Sequence, residues 1–211
     1  MSTTAEAEEP AGGTRGERKR AAILAAAEQV FSVKGYVGTS MDEVAAVAAV
    51  SKQTVYKHFA DKEALFRELI TATVARTAEP VAEDPVLPGD APLDEELRAF
   101  ARLLLHGVMQ PHVLRLRRLV IGEATRFPAL GRSFYDLGLR RTVASLSAPL
   151  SGRLHLDDPA LAAEHLVWLV LSIPLNRAML LGEDHGIASE DLDRYADAGV
   201  DAFLAAYALN G

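Results

Sequence analysis

The stretch that decides the fold is Ser51-Lys52-Gln53-Thr54-Val55-Tyr56-Lys57-His58-Phe59. Its two apolar residues, Val55 and Phe59, lie four positions apart, which predicts a short helix packed on a small core through a narrow seam. The remaining side chains carry positive charge or hydrogen-bonding groups, and no acidic residue interrupts them. Such a surface suits a polyanion, and we predict that the polyanion is DNA.

Positive charge is local to this part of the chain. Residues 15–62 hold eight Lys or Arg against five Asp or Glu, although the net charge of all 211 residues is −7. Residues 63–211 hold 14 basic and 21 acidic residues, and residues 1–14 hold three acidic residues and no basic one. This distribution indicates a small nucleic-acid-binding head on an acidic body that repels DNA.

The overall composition favours helix over sheet in a soluble protein. Aromatic residues make up only 6% of the chain, and Ala and Leu, which are strong helix formers, dominate. The longest apolar stretch, 166–175, is interrupted by Ser172 and Pro174. It is far shorter than the roughly 20 residues that span a bilayer, and the N-terminus has no apolar signal region. We therefore expect a cytoplasmic protein without a membrane partner.

Several classes of function lack their signatures in this sequence. There is no cysteine, which excludes thiol redox chemistry, disulfides and cysteine–zinc sites. The six histidines do not have metal-ligand spacing, so we expect no metal. The sequence has no glycine-rich phosphate loop, no GxSxG elbow and no paired carboxylate motif. We therefore expect neither an enzyme nor a bound cofactor.

Capping residues predict two short helices around the opening stretch. Ser40, with Glu43 three residues later, predicts a capping box that starts helix 2, and Ser51 caps helix 3. About three residues join the two helices, which makes the pair a helix-turn-helix. Helix 2 would cross the DNA backbone and helix 3 would enter the major groove.

The other predicted elements are also helical, so the expected fold class is all-α. Residues 1–14 are predicted to be a disordered tail, and the Pro-rich residues 79–92 to be a loop. The other predicted helices are helix 1 (17–34, ended by Gly35), helix 4 (from an Asp61 cap to about 78), helix 5 (93–109), helix 6 (112–126), helix 7 (128–150), helix 8 (159–181, with an Asp158 cap) and helix 9 (from a Ser189 cap to about 209).

Helices 8 and 9 are predicted to form a dimer interface. Helix 8 is apolar over more than one face, and such a helix must be covered on all sides. Helix 9 adds a face of small residues that permits close helix approach, formed by Ala196, Gly199, Ala202 and Ala206. We expect a two-fold homodimer in which these helices form a four-helix bundle. The alternative is that both helices are purely internal core.

Several stretches carry a family resemblance. They are Phe31-Ser32-Val33-Lys34-Gly35-Tyr36, Thr39-Ser40-Met41-Asp42-Glu43-Val44-Ala45, Val50 to Phe59, and Asp61-Lys62-Glu63-Ala64-Leu65-Phe66. These stretches resemble the DNA-binding domain of the TetR family of bacterial transcriptional regulators. The later stretch Val120-Ile121-Gly122-Glu123-Ala124-Thr125-Arg126-Phe127-Pro128-Ala129-Leu130 resembles the AefR-like C-terminal regulatory domain of one TetR subgroup. The resemblance implies a three-helix DNA-binding domain over 15–60, joined through helix 4 to a ligand-binding and dimerisation domain over 61–211.

The resemblance also implies which side chains meet DNA. The implied contacts are Thr39, Ser40, Ser51, Lys52, Gln53, Thr54, Tyr56, Lys57, His58 and Lys62. Most of them would contact phosphates, whereas Lys52, Gln53 and Lys57 are candidates for sequence choice, because Gln pairs with adenine and Lys with guanine. Ser40 and Ser51 serve as caps in any case. The alternatives are that Tyr56 only packs on helix 1 and that Lys57 is an ordinary solvated residue.

A ligand pocket enclosed by helices 5 to 8 is the last feature that the resemblance implies. The candidate lining residues are His106, Met109, Glu123, Tyr135, Arg141, His165, Trp168 and Asn176. Glu123 and Arg141 lie in apolar stripes, so they either pair with each other or bind a ligand. Asn176 binds a ligand, relieves the backbone freed by Pro174 or lies in the dimer interface. The other candidates are otherwise plain core.

Together these features predict a ligand-responsive repressor. Two recognition helices held about 34–36 Å apart, or at a longer multiple, read a palindromic operator. A small apolar or amphipathic effector would release the dimer from the operator DNA by moving helix 4. The alternative is a DNA-binding regulator without small-molecule control, either an activator or a protein controlled by a protein partner.

Overall fold

The computed structural model describes residues 14–82, 87–181 and 187–207, and within these ranges the backbone is helical with short connections and no β-strand. The predicted all-α fold class is confirmed. The helices are α1 (Arg15–Gly38), α2 (Met41–Val47), α3 (Lys52–His58), α4 (Lys62–Ala82), α5 (Leu93–Val108), α6 (Pro111–Glu123), α7 (Pro128–Tyr135), α8 (Arg141–Ser151), α9 (Pro159–Leu181) and α10 (Ser189–Tyr207). Predicted helices 8 and 9 correspond to α9 and α10.

The chain divides into two compact units between Leu65 and Phe66. Helix α4 runs across this division and so belongs to both units. The core of the first unit is built by apolar side chains that are at most 7% exposed, among them Ile23, Ala27, Val30, Phe31, Met41, Val44, Val55, Phe59 and Leu65. These residues include the predicted inward faces of helices 1 to 3.

Capping and positive φ angles shape the backbone of the first unit. Thr14, the described residue of the predicted tail, caps α1 through a capping box with Glu17. Gly35 (φ 71°, ψ 174°) interrupts the helical geometry of α1 in a region that is essentially restricted to glycine. Ala49 (φ 52°) lies in the turn between α2 and α3 and reverses the chain there. The corner of the helix-turn-helix therefore rests on a left-handed residue that is not glycine.

The core of the second unit lies among α5, α8, α9 and α10. Its buried apolar residues include Leu97, Phe100, Leu105, Leu146, Leu150, Leu166, Val170, Val200 and Phe203. A Cβ added at Gly199 of α10 would lie 3.0 Å from the backbone of Val170 in α9. Ala196 is fully buried, whereas Ala202 and Ala206 are exposed. Ala196 and Gly199 therefore pack within the chain, and only Ala202 and Ala206 of these small residues remain exposed.

The predicted single helix over 128–150 is interrupted by a π-helical segment, Asp136–Arg140. A π turn holds more residues than an α turn, so the helix beyond it is rotated relative to a regular 3.6-residue pattern. Leu146 and Leu150 are the buried residues of α8, and Arg141 is exposed. The predicted apolar stripe that included Arg141 is therefore wrong.

Other helix boundaries differ from the prediction by a few residues. The backbone of α4 stays helical to Ala82, although Pro80 predicted a loop from residue 79. Proline removes one N–H and one hydrogen bond, and within the last turn the helix still completes. Residues 83–86 of the predicted loop lie outside the described residues. The Ala188 carbonyl accepts the Leu192 N–H at 3.1 Å, so α10 begins at Ser189 itself.

Among the described helices, α9 is long and apolar enough to cross a membrane by length and composition. The apolar stretch 166–175 identified from the sequence is shorter than the whole helix α9 (Pro159–Leu181). Core helices of soluble proteins pass the same criterion. Leu166, Val167 and Val170 of α9 are at most 1% exposed within the core of the second unit, which is the pattern of such a core helix.

Candidate nucleic-acid interface and effector site

The caps that start α2 and α3 are both formed. Ser40 Oγ accepts the Glu43 N–H at 3.2 Å, and Ser51 Oγ accepts the Thr54 N–H at 3.2 Å. The Glu43 carboxylate pairs with Lys34 of α1 at 2.5 Å, so the reciprocal half of the predicted capping box is replaced by an ion pair. The caps fix where each helix begins, and the ion pair ties α2 to α1.

Helix α3 has a buried edge and a polar outer face. Val55 is 0% exposed and Phe59, directly after the helix, is 4% exposed, which confirms the predicted seam. Its exposed residues are Lys52, Gln53, Tyr56 and Lys57, with Ser51 before the helix also exposed, while Thr54 and His58 are half-buried. The helix therefore presents basic and hydrogen-bonding side chains and no carboxylate.

The ammonium group of Lys52 is held by Asp42 of α2. Lys52 Nζ donates to Asp42 Oδ2 at 2.8 Å, and this hydrogen bond with the charge of Asp42 raises the pKa of Lys52. Both side chains are 60% exposed, so the pair adds little stability. Gln53 and Lys57 form no hydrogen bond or ion pair with the residues described. Lys52 alone of the three predicted readers would have to leave a partner to reach a base.

The Thr39 and Lys62 side chains brace the connection between α1 and α2. Thr39 is 4% exposed and its hydroxyl donates to the Gly35 carbonyl at 2.8 Å. Lys62 Nζ donates to the carbonyls of Tyr36 at 2.8 Å, Val37 at 3.3 Å and Thr39 at 2.9 Å. An ammonium group has three donors, and these bonds use all of them. The phosphate contacts implied for Thr39 and Lys62 stay predictions, and both would require these bonds to break.

The predicted effector-binding residues are spread over α5 to α9 of the second unit, and five of the eight are exposed. His106, Met109 and Glu123 are half-buried, whereas Tyr135, Arg141, His165, Trp168 and Asn176 are exposed. His106 Nε2 lies 2.8 Å from Asp193 Oδ1. His165 Nδ1 lies 2.5 Å from Tyr207 Oη. These two histidines therefore connect α10 to α5 and to α9.

Of the two alternatives left open for Glu123 and Arg141, the mutual ion pair is wrong. No ion pair joins them within the part of the chain that the structure describes, and Arg141 points to solvent. The π-helical segment just before Arg141 is the physical reason, because it rotates the residues that follow. A regular helical pattern cannot reveal such a shift.

Sequence reasoning missed Arg117 of α6 and Phe134 of α7. The guanidinium carbon of Arg117 lies 5.1 Å from the centre of the Phe134 ring. Burial lowers the pKa of Arg117. The available signal was its spacing, since Arg117 lies four residues after Val113 and three before Val120, both of which are buried. A single arginine in an apolar stripe marks an inward-facing cation.

A face of α9 presents large apolar side chains to solvent. We call it the apolar face of α9, and its members are Leu161, Trp168, Leu169, Ile173 and Leu180, which are 39–74% exposed. Successive members lie seven, one, four and seven residues apart, so they follow one side of the helix. His165 and Asn176 are also exposed, and their spacing places them on the same side. Exposed apolar surface of this extent marks an interaction site.

A capped short helix after a left-handed turn, with a basic outer face, defines the first unit as a helix-turn-helix DNA-binding head. Two family models match the chain. Residues 23–69 match the model described as bacterial regulatory proteins, tetR family. Residues 95–209 match the C-terminal domain of AefR-like transcriptional repressors. The chain belongs to the TetR family of DNA-binding transcriptional regulators.

Relatives and solved structures agree with this assignment. A DNA-binding transcriptional repressor TetR from Mycobacteroides abscessus is 30% identical over 181 residues, which are 85% of this chain and 76% of that protein. The crystal structure of a TetR-family regulator from Mesorhizobium loti has a TM-score of 0.82 at 42% identity, covering 92% of this chain and 99% of that one. The flavonoid-responsive regulator FrrA has a TM-score of 0.76 at 35% identity, covering 90% and 97%. The family predicted from the sequence is confirmed.

Proposed function

We propose that this chain is a ligand-responsive repressor that binds a palindromic operator as a homodimer and is released by a small effector. The observation that carries the proposal is the combination of two outward faces in one chain, the basic face of α3 and the apolar face of α9. The match to the AefR-like repressor domain and the similarity to the M. abscessus repressor support repression rather than activation. A cytoplasmic location follows from this role.

In this proposal α3 enters the major groove and reads sequence through Gln53 and Lys57. Both side chains are exposed and bound to no other described residue, so their donors and acceptors are available to base edges. Lys52 is a weaker reader because Asp42 holds its ammonium group. Gln pairs with adenine and Lys with guanine, so we expect an operator half-site with both purines at the contacted steps.

Other side chains of the DNA-binding head hold α3 in place by contacting the phosphate backbone. Ser40 Oγ accepts a hydrogen bond in its cap, which leaves its hydroxyl proton for a phosphate oxygen. Tyr56 is 45% exposed, and we assign its hydroxyl, with Thr54 and His58, to phosphate contacts. Thr39 and Lys62 act indirectly, because their hydrogen bonds hold the connection between α1 and α2 in place.

The apolar face of α9 packs against the same face of a second subunit. A soluble monomer gains no stability from exposed side chains such as Ile173 and Leu169, and burial against a copy removes their apolar surface from water. Helix α10 flanks α9 and completes a four-helix bundle. The two DNA-binding heads then read two half-sites related by the same two-fold axis.

Effector binding in the second unit is the proposed switch. Helix α4 runs from the second unit into the first, so a shift of α4 would change the separation of the two heads. The structurally similar FrrA is a flavonoid-responsive regulator, which makes flavonoids the first compounds to test. Any effector must bind one α4 position better than the other, because only differential affinity moves the equilibrium.

Selection of bound DNA from a random library with the purified full chain tests the proposal. We expect an enriched inverted repeat, and then a lower operator affinity when an effector is present. A motif without two-fold symmetry would refute the dimeric mode of binding. Unchanged operator affinity with every compound shown to bind the protein would refute ligand control.

A further inference from the structure

Arg117 of α6 is a half-buried, inward-facing cation that pairs with no carboxylate in the part of the chain that the structure describes. Its Nε is sealed from solvent and donates to no acceptor, and within the described residues the guanidinium forms no ion pair. Burial alone lowers the pKa of Arg117, since no carboxylate acts in the opposite direction. A buried charge that lacks a partner is costly. Within the described residues, the fold therefore leaves the Nε of this half-buried cation without an acceptor.

Other groups of α6 show which partners lie within reach of this helix. The next residue, Arg118, donates to the Ala178 carbonyl of α9 at 2.9 Å, so internal acceptors can be reached from this helix. Glu123 lies further along α6 and is half-buried, but it forms no ion pair with Arg117 in the structure as described. The contact with the Phe134 ring at 5.1 Å offsets part of the missing charge. It supplies no acceptor for the Nε proton.

The backbone next to Phe134 is also unusual. The π-helical segment starts at Asp136, two residues after Phe134. Such segments cost hydrogen-bond geometry and are frequent at functional sites. Arg117 of α6, Phe134 of α7 and the π-helical segment that follows α7 all lie within the domain matched to the AefR-like repressors.

We propose that Arg117 binds the anionic group of the effector, which is an organic anion such as an aromatic carboxylate or an ionised phenol. The anion supplies the acceptor that Nε lacks and neutralises the guanidinium, which binds oxyanions with two parallel hydrogen bonds. The Phe134 ring next to it favours an apolar or aromatic body on the ligand. This inference rests on the proposed function, because it specifies the chemistry of the effector of the same domain.

A matched pair of fluorescent probes tests the charge requirement. Anilinonaphthalene sulfonate and N-phenylnaphthylamine share an apolar body, and only the first carries an anion. We expect the Arg117→Met variant to bind the sulfonate about tenfold or more weakly than the wild type and to bind the neutral amine equally well. Arg117→Lys keeps the charge and should retain part of the selectivity. The control is Arg115→Met, which removes the same charge from an exposed position of α6.

Thermal unfolding gives a second readout that needs no probe fluorescence. Because Arg117 is an unpaired buried cation, Arg117→Met should raise the Tm, and the sulfonate should raise the Tm of the wild type but not of the variant. A lower Tm for Arg117→Met without ligand would show that the fold satisfies this charge, and would overturn the inference. If both probes bind and the variant leaves their affinity ratio unchanged, the anion requirement is refuted while ligand control stands. If neither probe binds the wild type, both this inference and the ligand-binding role fail.

Discussion

The guanidinium of Arg102 in α5 binds both carboxylate oxygens of Asp197 in α10, with Nε donating to Oδ1 at 2.9 Å and Nη2 to Oδ2 at 2.7 Å. One helical turn to either side, Arg98 donates to Asp201 at 2.5 Å and His106 lies 2.8 Å from Asp193. The four-residue spacing on both helices makes this an antiparallel ladder of polar side-chain pairs. It fixes how α5 and α10 are aligned along their length.

Loss of the Asp197 carboxylate should make stability less dependent on acid. The hydrogen bond and charge of Arg102 hold the pKa of Asp197 below its usual range. A lowered folded-state pKa stabilises the protein above the unfolded pKa, and the contribution is lost as the pH falls through the folded value. We therefore expect Asp197→Asn to lower the Tm by a few degrees at neutral pH, and the difference from wild type to shrink toward about pH 3. Measurement of Tm against pH checks this.

The matched control for this prediction is Asp191→Asn. Asp191 is on the same helix and pairs with Arg194 at 3.2 Å in an exposed i,i+3 arrangement, which contributes little. The two substitutions change the net charge equally. A Tm difference for Asp197→Asn that stays constant with pH would show that the ladder does not depend on ionisation.

The Gly199→Ala substitution should destabilise the packing of α9 on α10. The new methyl group would lie 3.0 Å from backbone atoms of Val170, which cannot rotate away, and such overpacking costs about 1–3 kcal/mol. Chemical denaturation measures the change in unfolding free energy. Gly122→Ala is the control, because a Cβ there meets nothing within 4 Å, and it should stabilise the protein by about 0.4–1 kcal/mol. Equal effects of the two substitutions would contradict the close approach.

Two substitutions at Ser51 should separate its capping role from DNA contact. Ser51→Ala removes the acceptor for the Thr54 N–H and should cost about 1 kcal/mol of stability. Ser51→Asp keeps an acceptor at the cap and should restore the stability. Its negative charge at the DNA-facing start of α3 should nevertheless weaken operator binding. Operator affinity equal to wild type for Ser51→Asp would place Ser51 away from the phosphates.

The Lys57→Ala substitution should relax sequence preference at one base step. If Lys57 reads a guanine, its removal costs about 1–3 kcal/mol on the selected operator and less on variants changed at that step. Affinities measured for a set of single-base operator variants, each at two salt concentrations, check this. Uniform weakening with a smaller salt slope would instead make Lys57 a phosphate contact. Arg132→Ala is the control, since it removes one exposed positive charge from α7 in the second unit.

The Ile173→Glu substitution should convert the proposed dimer into monomers. Ile173 is 54% exposed on the apolar face of α9, so the single chain tolerates the change, whereas a dimer interface would bury the new charge without a partner. Sedimentation velocity measures the oligomeric state, and the fluorescence of Trp168, the single tryptophan, reports burial of the face. Ile121→Glu is the control, because Ile121 is 61% exposed on α6. Dimers formed equally by both variants would exclude the apolar face of α9 from the interface.

The first unit was largely predictable because its determinants are local. Ser40, Ser51 and Asp61 cap the helices that begin after them, and Gly35 interrupts α1 where its positive φ is needed. Val55 and Phe59 were recognisable as an inward seam from their four-residue spacing. Each of these assignments depends on residues within about one helical turn, which is the range over which sequence patterns carry information.

The second unit shows where that information ends. The expected pairing of Glu123 and Arg141 assumed regular helices, and the π-helical segment invalidated it. The ladder from Arg98 to His106 joins residues 87 to 103 positions apart in the chain, and no local pattern specifies such partners. The spacing of Arg117 between Val113 and Val120 indicated an inward position, but only the structure shows that its Nε donates to no described acceptor.

The sequence by itself therefore determined the class of the protein, because helix caps, apolar spacing and the local excess of positive charge depend on neighbouring residues and on residue counts. Only the tertiary structure decided the chemistry of the individual side chains. In the structure Lys62 donates to three backbone carbonyls and Lys52 pairs with Asp42. The Nε of Arg117 donates to no acceptor among the described residues. Burial and partner choice set the free energy of a charged group, and both are properties of the packed fold rather than of the sequence neighbourhood.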